Sequence, residues 1–130
     1  MKNKNIKYLV GCKDSAILSS LAFGIYDSKI IDFLSELSNQ ILLIAKSNNN
    51  YRIFSYYALW SRKSNLLRLR NERNDLNHRF GRGLAFHIAP SNVASNILFT
   101  LAFGLLSGCP SIIRISKKNI DEIKEILKVI

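Results

Sequence analysis

GRGLAFHIAPSNVASN, residues 81–96, decides how the rest of this chain is read. Its Gly-x-Gly invites a phosphate-loop reading, but in a dinucleotide-binding fingerprint the glycines follow the first strand and open a helix. Here they come first. GLAFHIAP, residues 83–90, is a short apolar run stopped by a proline, which predicts a strand buried on both faces. Gly81-Arg82-Gly83 is then the turn that enters the strand. No Gly-Lys-Ser/Thr of the Walker type occurs anywhere in the chain.

Working toward the C-terminus, residues 95–107 predict a buried helix, which ends in the small pair Ser107-Gly108. SIIRIS, residues 111–116, is β-branched and predicts a second strand. KKNIDEIKEILKVI, residues 117–130, predicts a helix with Asn119 as a candidate cap and Asp121 and Glu122 in its first turn. Its apolar positions recur at 120, 123, 126/127 and 130. The order from Gly81 is strand-helix-strand-helix, and so short a crossover makes the two strands parallel neighbours. Two parallel strands are too few for a complete α/β domain, and the last pattern runs to Ile130 without a stop signal. The expectation is a truncated sheet with a bare edge, prone to pairing with other chains.

Toward the N-terminus the period changes. Residues 27–46 carry apolar side chains at 30, 34, 37, 41 and 44/45, the stripe of an amphipathic helix, with Asp27 or Ser28 as its cap. After the polar break Ser47-Asn48-Asn49-Asn50 comes YRIFSYYALWSRKSNLLRLRNERNDL, residues 51–76, a second helical pattern. Ile53, Phe54, Tyr57 and Trp60 share one side of it, with Leu67 further on. This aromatic stripe reads as helix-packing core rather than as a platform for bases. Residues 1–80 therefore form a mainly helical segment, and 81–130 a partial dinucleotide-binding domain.

Composition narrows the function. A chain of 130 residues that is 48% hydrophobic and 22% charged can build a core and is not a disordered tail. Its longest apolar run, Ile97 to Ser107, is shorter than the roughly 20 residues needed to span a bilayer. The N-terminal lysines before an apolar stretch resemble a signal peptide, but Lys13 and Asp14 split that stretch and no cleavage site follows, which places the protein in the cytoplasm. Cys12 and Cys109 form neither a disulfide framework nor a metal spacing, and His78 and His87 have no partner at ligand spacing. Nineteen basic against nine acidic residues give a net charge of +10, which permits an anionic partner. Much of the excess lies in Arg62, Lys63, Arg68, Arg70, Arg73, Arg79 and Arg82. Such a run is a nucleic-acid footprint in some proteins and a solvated helix face in more. Without a recognition motif, a small basic nucleic-acid-binding protein is the alternative reading.

Pro90-Ser91-Asn92 lies at the C-terminal end of the first strand, where ligands bind in open parallel sheets. An asparagine there can aim its amide at a developing oxyanion, although Asn is also a common turn residue. These residues carry a resemblance. HIAPSN, then LAFGLLSG and then IIRISKKN at matching distances, together with ALWSRKSNLLRL before them, are similar to LuxC-type acyl-CoA reductases. That family is related to the aldehyde dehydrogenases, and the likeness covers roughly residues 28–119.

The resemblance implies an α/β fold: N-terminal helices followed by the first β-α-β-α part of an aldehyde-dehydrogenase-like Rossmann cofactor domain. It implies reduction of a long-chain fatty acyl-CoA or acyl-protein thioester to the fatty aldehyde with NADPH, possible companion subunits of a fatty acid reductase complex, and no membrane span. Asn92 matches the oxyanion-hole asparagine for the thiohemiacetal. Ile88, Ala89, Pro90 and Ser91 match the strand end and turn that lie along the cofactor. Arg114 stands where relatives have a lysine that reaches the adenosine ribose. Lys117 replaces a carboxylate that holds ribose hydroxyls in NAD-using relatives, which favours a 2′-phosphate. The chain departs from the family in Ala94, where proline is usual, and in Cys109-Pro110, where Gly-Asn is common. Cys109 is not the nucleophile, which the family carries in a later domain. The expectation is a chain inactive alone, or else a non-catalytic partner of a full-length reductase.

Overall fold

The computed structural model describes residues 7–11 and 22–130. Cys12 and most of the lysine-flanked apolar stretch at the N-terminus fall outside the described residues. Helix α1 spans Ser28–Ser47. A 3-10 segment, Asn49–Phe54, leads into α2, Ser55–Trp60, and then α3, Lys63–Asn71. Strand β1 is Ala85–Ile88, α4 is Ser95–Leu106, β2 is Ser111–Arg114, and α5 is Lys117–Ile123. The architecture is mixed α/β, with one two-stranded parallel sheet among the described residues. No described helix is long and apolar enough to cross a membrane.

α1 starts where the sequence places it. The Asp27 carboxylate accepts from the Lys29 backbone N–H at 2.8 Å, satisfying one of the donors a helix leaves open at its start. Its stripe of Ile30, Ile31, Leu34, Leu37, Ile41 and Ala45 is buried. Ser38 lies on the same stripe, and its hydroxyl donates to the Ala58 carbonyl at 2.5 Å, tying α1 to α2.

The second helical pattern is broken rather than continuous. It runs as a 3-10 segment and two short helices, with an interruption at Ser61-Arg62, where Arg62 adopts extended backbone. The Asn65 amide donates to the Trp60 carbonyl at 2.7 Å across the break. The tighter 3-10 winding changes the phase, so Phe54 and Tyr57 are buried while Ile53 is half exposed. Leu66 takes the core position on α3.

An aromatic seam joins these helices to the second half of the chain. On α4, Phe99 meets Tyr57 edge-on at 5.1 Å between ring centroids and Trp60 at 5.3 Å, and Phe103 meets Trp60 at 5.3 Å. The rings of the second pattern are thus packing groups. One hydrophobic cluster takes side chains from α1, α2, α3, α4 and α5.

β1 pairs with β2 in the register Ala85–Ser111, Phe86–Ile112, His87–Ile113 and Ile88–Arg114. α4 lies so close to one face that a Cβ on Gly104 would collide with Ser111, whose hydroxyl stands 3.3 Å from His87 Nε2. No described element covers the other face. Phe86 and Ile88 are 63% and 68% exposed, so β1 is not buried on both faces as its apolar run predicts. The run holds enough apolar residues for two covered faces, but the described helices cover only the face toward α4.

The Gly-x-Gly now has its explanation. Gly81 lies where three backbone segments converge: its N–H donates to the Phe23 carbonyl, and the Phe23 N–H donates to the Gly108 carbonyl, both at 3.0 Å. Any Cβ on Gly81 would overlap the Gly108 backbone. Gly83 has open space around it but a φ of 108°, a conformation that favours glycine. The first glycine is required by crowding and the second by dihedral angle.

α5 begins at Lys117 with Ser116 as the flanking residue, which corrects the cap expected at Asn119. Asp121 and Glu122 consequently lie beyond the first turn. Ile123 and Ile126 are buried, and the chain after α5 tightens into a 3-10 turn, Ile126–Lys128.

Candidate functional site

The residues singled out by sequence gather at the C-terminal end of the two strands. Pairing runs one residue past β1, because the Ala89 N–H donates to the Arg114 carbonyl at 3.2 Å. Ala89 is 6% exposed. Pro90 has no N–H to continue the ladder, so the chain leaves the sheet there. Ser91 and Asn92 follow as an exposed bend. Ala94 is fully buried at the entrance to α4, and Asn96 and Ile97 N–H groups bond back to Val93 and Ala94 carbonyls. The Asn92 side chain has no hydrogen-bond partner among the described residues.

Opposite the bend, Ile88 is level with Arg114 in the register. The chain then passes through Ile115 and Ser116 into α5, whose first two residues are Lys117 and Lys118. Arg114, Lys117 and Lys118 are exposed and make no ion pair among the described residues. Three cations in five positions give this strand end a positive potential suited to a phosphate. The acidic residues one turn on, Asp121 and Glu122, line a concavity of about 500 Å³ with Asn48, Asn50, Tyr51, Ile53 and Phe54. That concavity contains none of the residues expected at the site. The site itself is an open surface.

Sequence reasoning missed one member. Asn119 is 1% exposed, and its side-chain amide donates to the Pro90 carbonyl at 3.0 Å. It reads as a cap because Asn is frequent at helix starts. The signal against that was its spacing, since 119, 123 and 126 form the buried stripe of the segment. A polar residue on such a stripe needs a partner in the interior. Nearby, the Ser116 hydroxyl is buried without a hydrogen bond.

The one cysteine among the described residues does not reach this end. Cys109 precedes β2, and its Sγ donates to the Ser107 carbonyl at 3.7 Å. Five residues of extended chain separate it from Arg114, on the order of 16 Å. Among the described residues, no group of His, Cys, Asp and Glu could hold a metal ion.

The basic stretch from Arg62 to Arg82 is partly occupied by its own contacts. Lys63 pairs with Asp32 at 2.7 Å, Arg79 with Asp75 at 2.7 Å, and Arg68 with Glu72. Arg73 lies over the Tyr26 ring, 5.2 Å from its centroid. These exposed pairs contribute little to stability, roughly 0–1 kcal/mol each, but they spread the charge along a solvated face.

The family model described as acyl-CoA reductase (LuxC) matches residues 35–130, a span that holds every residue expected at the site. No curated protein and no solved structure matches the chain.

Proposed function

We propose that this chain, which belongs to the LuxC family of acyl-CoA reductases, carries the nucleotide-binding edge and the oxyanion donor of an NADPH-dependent, long-chain fatty acyl-CoA reductase of the cytoplasm. The carrying observation is the meeting, at one sheet end, of the Pro90–Asn92 bend with Arg114 and Lys117, cations without carboxylate partners among the described residues. In this reading β1-α4-β2-α5 is the first β-α-β-α part of an aldehyde-dehydrogenase-like Rossmann domain.

The residues fit the cofactor by the chemistry of their donors. Arg114 and Lys117 would hold the 2′-phosphate, and no carboxylate among 114–118 repels it. Ile88, Ala89, Pro90 and Ser91 would form the wall along the nucleotide, with the exposed Ile88 side chain offering an apolar surface. When bound, NADPH supplies the hydride that converts the acyl group to the aldehyde. Asn92 would donate to the acyl carbonyl oxygen as it gains negative charge after thiolate attack. Such a donor lowers the barrier because it is oriented before the reaction begins. The acyl group would come from acyl-CoA or an acyl-protein thioester, through other subunits of a reductase complex in the latter case.

The attacking thiolate is not furnished by Cys109, which lies at the far end of β2. The chain alone is accordingly expected to bind the nucleotide and not to turn over. Titration of the purified chain should show saturable NADPH binding that exceeds NADH binding, and no acyl-CoA-dependent NADPH oxidation. Equal affinity for the two nucleotides, or no binding of either, would remove the cofactor assignment. Turnover by the chain alone would remove the claim that it is silent.

The exposed face of Phe86 and Ile88 favours a related second reading, a non-catalytic partner of a larger reductase. Co-purification with such a protein is its test.

A further inference from the structure

We propose that Asn119 is a positioning residue that sets the Pro90–Asn92 bend from α5, the helix that follows the opposite strand; its consequence for catalysis rests on the reading of Asn92 given above. Asn119 is a rare kind of residue in this fold, a buried carboxamide on an otherwise apolar stripe. Its hydrogen bond to the Pro90 carbonyl joins positions 29 residues apart. Pro90 cannot anchor the bend through an N–H of its own, so its carbonyl is the one polar handle its backbone offers. The Ala89–Arg114 bond holds the chain on one side of Pro90, and Asn119 holds the other. Ser91 and Asn92 come next, exposed and without hydrogen bonds of their own among the described residues.

The linkage also joins the two ends of the site. Asn119 lies two residues after Lys117, in the first turn of the helix that begins with the proposed phosphate-binding cations. A shift of that turn moves the Pro90 carbonyl through the same hydrogen bond. The amide of Asn92 is therefore referenced to the nucleotide-binding strand end as well as to β1.

The test compares Asn119→Ala, Asn119→Asp and a control, Ser38→Ala, in the full chain. Ser38 is the other fully buried side chain that ties a carbonyl on a different element, so its loss destabilises the fold without touching the bend. Amide hydrogen exchange is read at Ala89, Asn96 and Ile97, whose N–H groups hold the two ends of the bend, and NADPH affinity is measured alongside.

The expected result for Asn119→Ala is faster exchange confined to these three amides and about tenfold weaker NADPH binding, as follows from misplacing a site group. Ser38→Ala should leave both unchanged relative to its own stability. Asn119→Asp should resemble the alanine variant near neutrality and recover bend protection on acidification, since a protonated carboxyl can again donate to Pro90. That variant serves even if the alanine variant does not fold. Unchanged exchange at Ala89, Asn96 and Ile97, or exchange raised equally by Ser38→Ala, overturns the proposal. If the unaltered chain binds no NADPH while Asn119→Ala still loosens the bend, the cofactor reading fails and the positioning role stands.

Discussion

Gly81 and Gly108 approach so closely that a side chain on Gly81 would overlap the Gly108 carbonyl, backbone against backbone. Phe23 closes the junction by bonding to both. No flexible side chain is present to yield, so Gly81→Ala should cost on the order of 4 kcal/mol or prevent folding, in the range kept for backbone clashes. Gly83→Ala should cost about 1–3 kcal/mol, because only its dihedral angle resists. Urea unfolding of the two variants checks the order. Equal losses would mean that the junction relaxes more easily than its geometry indicates.

Tyr57 is fully buried in the aromatic seam, and no hydrogen bond of good geometry reaches its hydroxyl among the described residues. Burial pushes its phenol well above the ordinary tyrosine range, and the nearby Ser61 side chain offsets only part of this. The folded chain therefore keeps a proton that the unfolded chain loses near pH 10. Stability tied to Tyr57 is complete below that pH and falls as the pH rises beyond it, by up to about 1.4 kcal/mol per unit. Tyr57→Phe should be at least as stable at pH 7 and lose less stability between pH 9 and 11. Unfolding curves at those pH values, with tyrosinate absorbance followed in parallel, measure the difference. A parent and a variant with the same alkaline profile would show that the phenol is hydrated in solution.

Arg114 and Lys117 should contribute differently to nucleotide choice. A guanidinium meets a phosphate with two parallel bonds, whereas an ammonium acts as a point charge. Arg114→Gln is expected to weaken NADPH binding more than Lys117→Gln does, with NADH binding little altered by either. Lys117→Glu should reverse the preference by placing a carboxylate where the proposed site would meet the ribose hydroxyls. The ratio of the two dissociation constants for each variant is the readout. A constant ratio across all three would place the 2′-phosphate elsewhere.

How much of this was legible in advance depends on how local each cause is. The α1 stripe, a cap at Asp27 or Ser28 and the β-α-β order after Gly81 come from short-range patterns, and all three are present in the structure, which selects Asp27 as the cap. The parallel pairing was deducible because twenty-odd residues of helix and turn cannot form a hairpin. Two features depend on partners distant in sequence, and a third carries no local mark. Gly81 reads as a turn glycine until Gly108 and Phe23 are brought beside it. Asn119 reads as a cap until Pro90 arrives from across the sheet. The break at Ser61-Arg62 reads as continuous helix, because no proline or glycine marks it. At the candidate site, the positions of Asn92, Arg114 and Lys117 were foreseeable from strand ends, whereas the tie that holds the bend was not.

The uncovered face of β1 makes temperature an unusual handle on this chain. Removing Phe86 and Ile88 from water is driven near 25 °C by the entropy of the solvent, so attraction between such faces weakens on cooling and strengthens with sulfate. The net charge of +10 opposes association between copies most strongly in dilute salt. Sedimentation should therefore show dispersed chains at 4 °C in low salt and larger species at 25 °C in sulfate. Phe86→Thr with Ile88→Thr should abolish the change while leaving the fold's unfolding midpoint nearly constant. Association that grows on cooling would assign the contact to polar groups instead. For this fold, mild warmth promotes gathering well before it promotes melting.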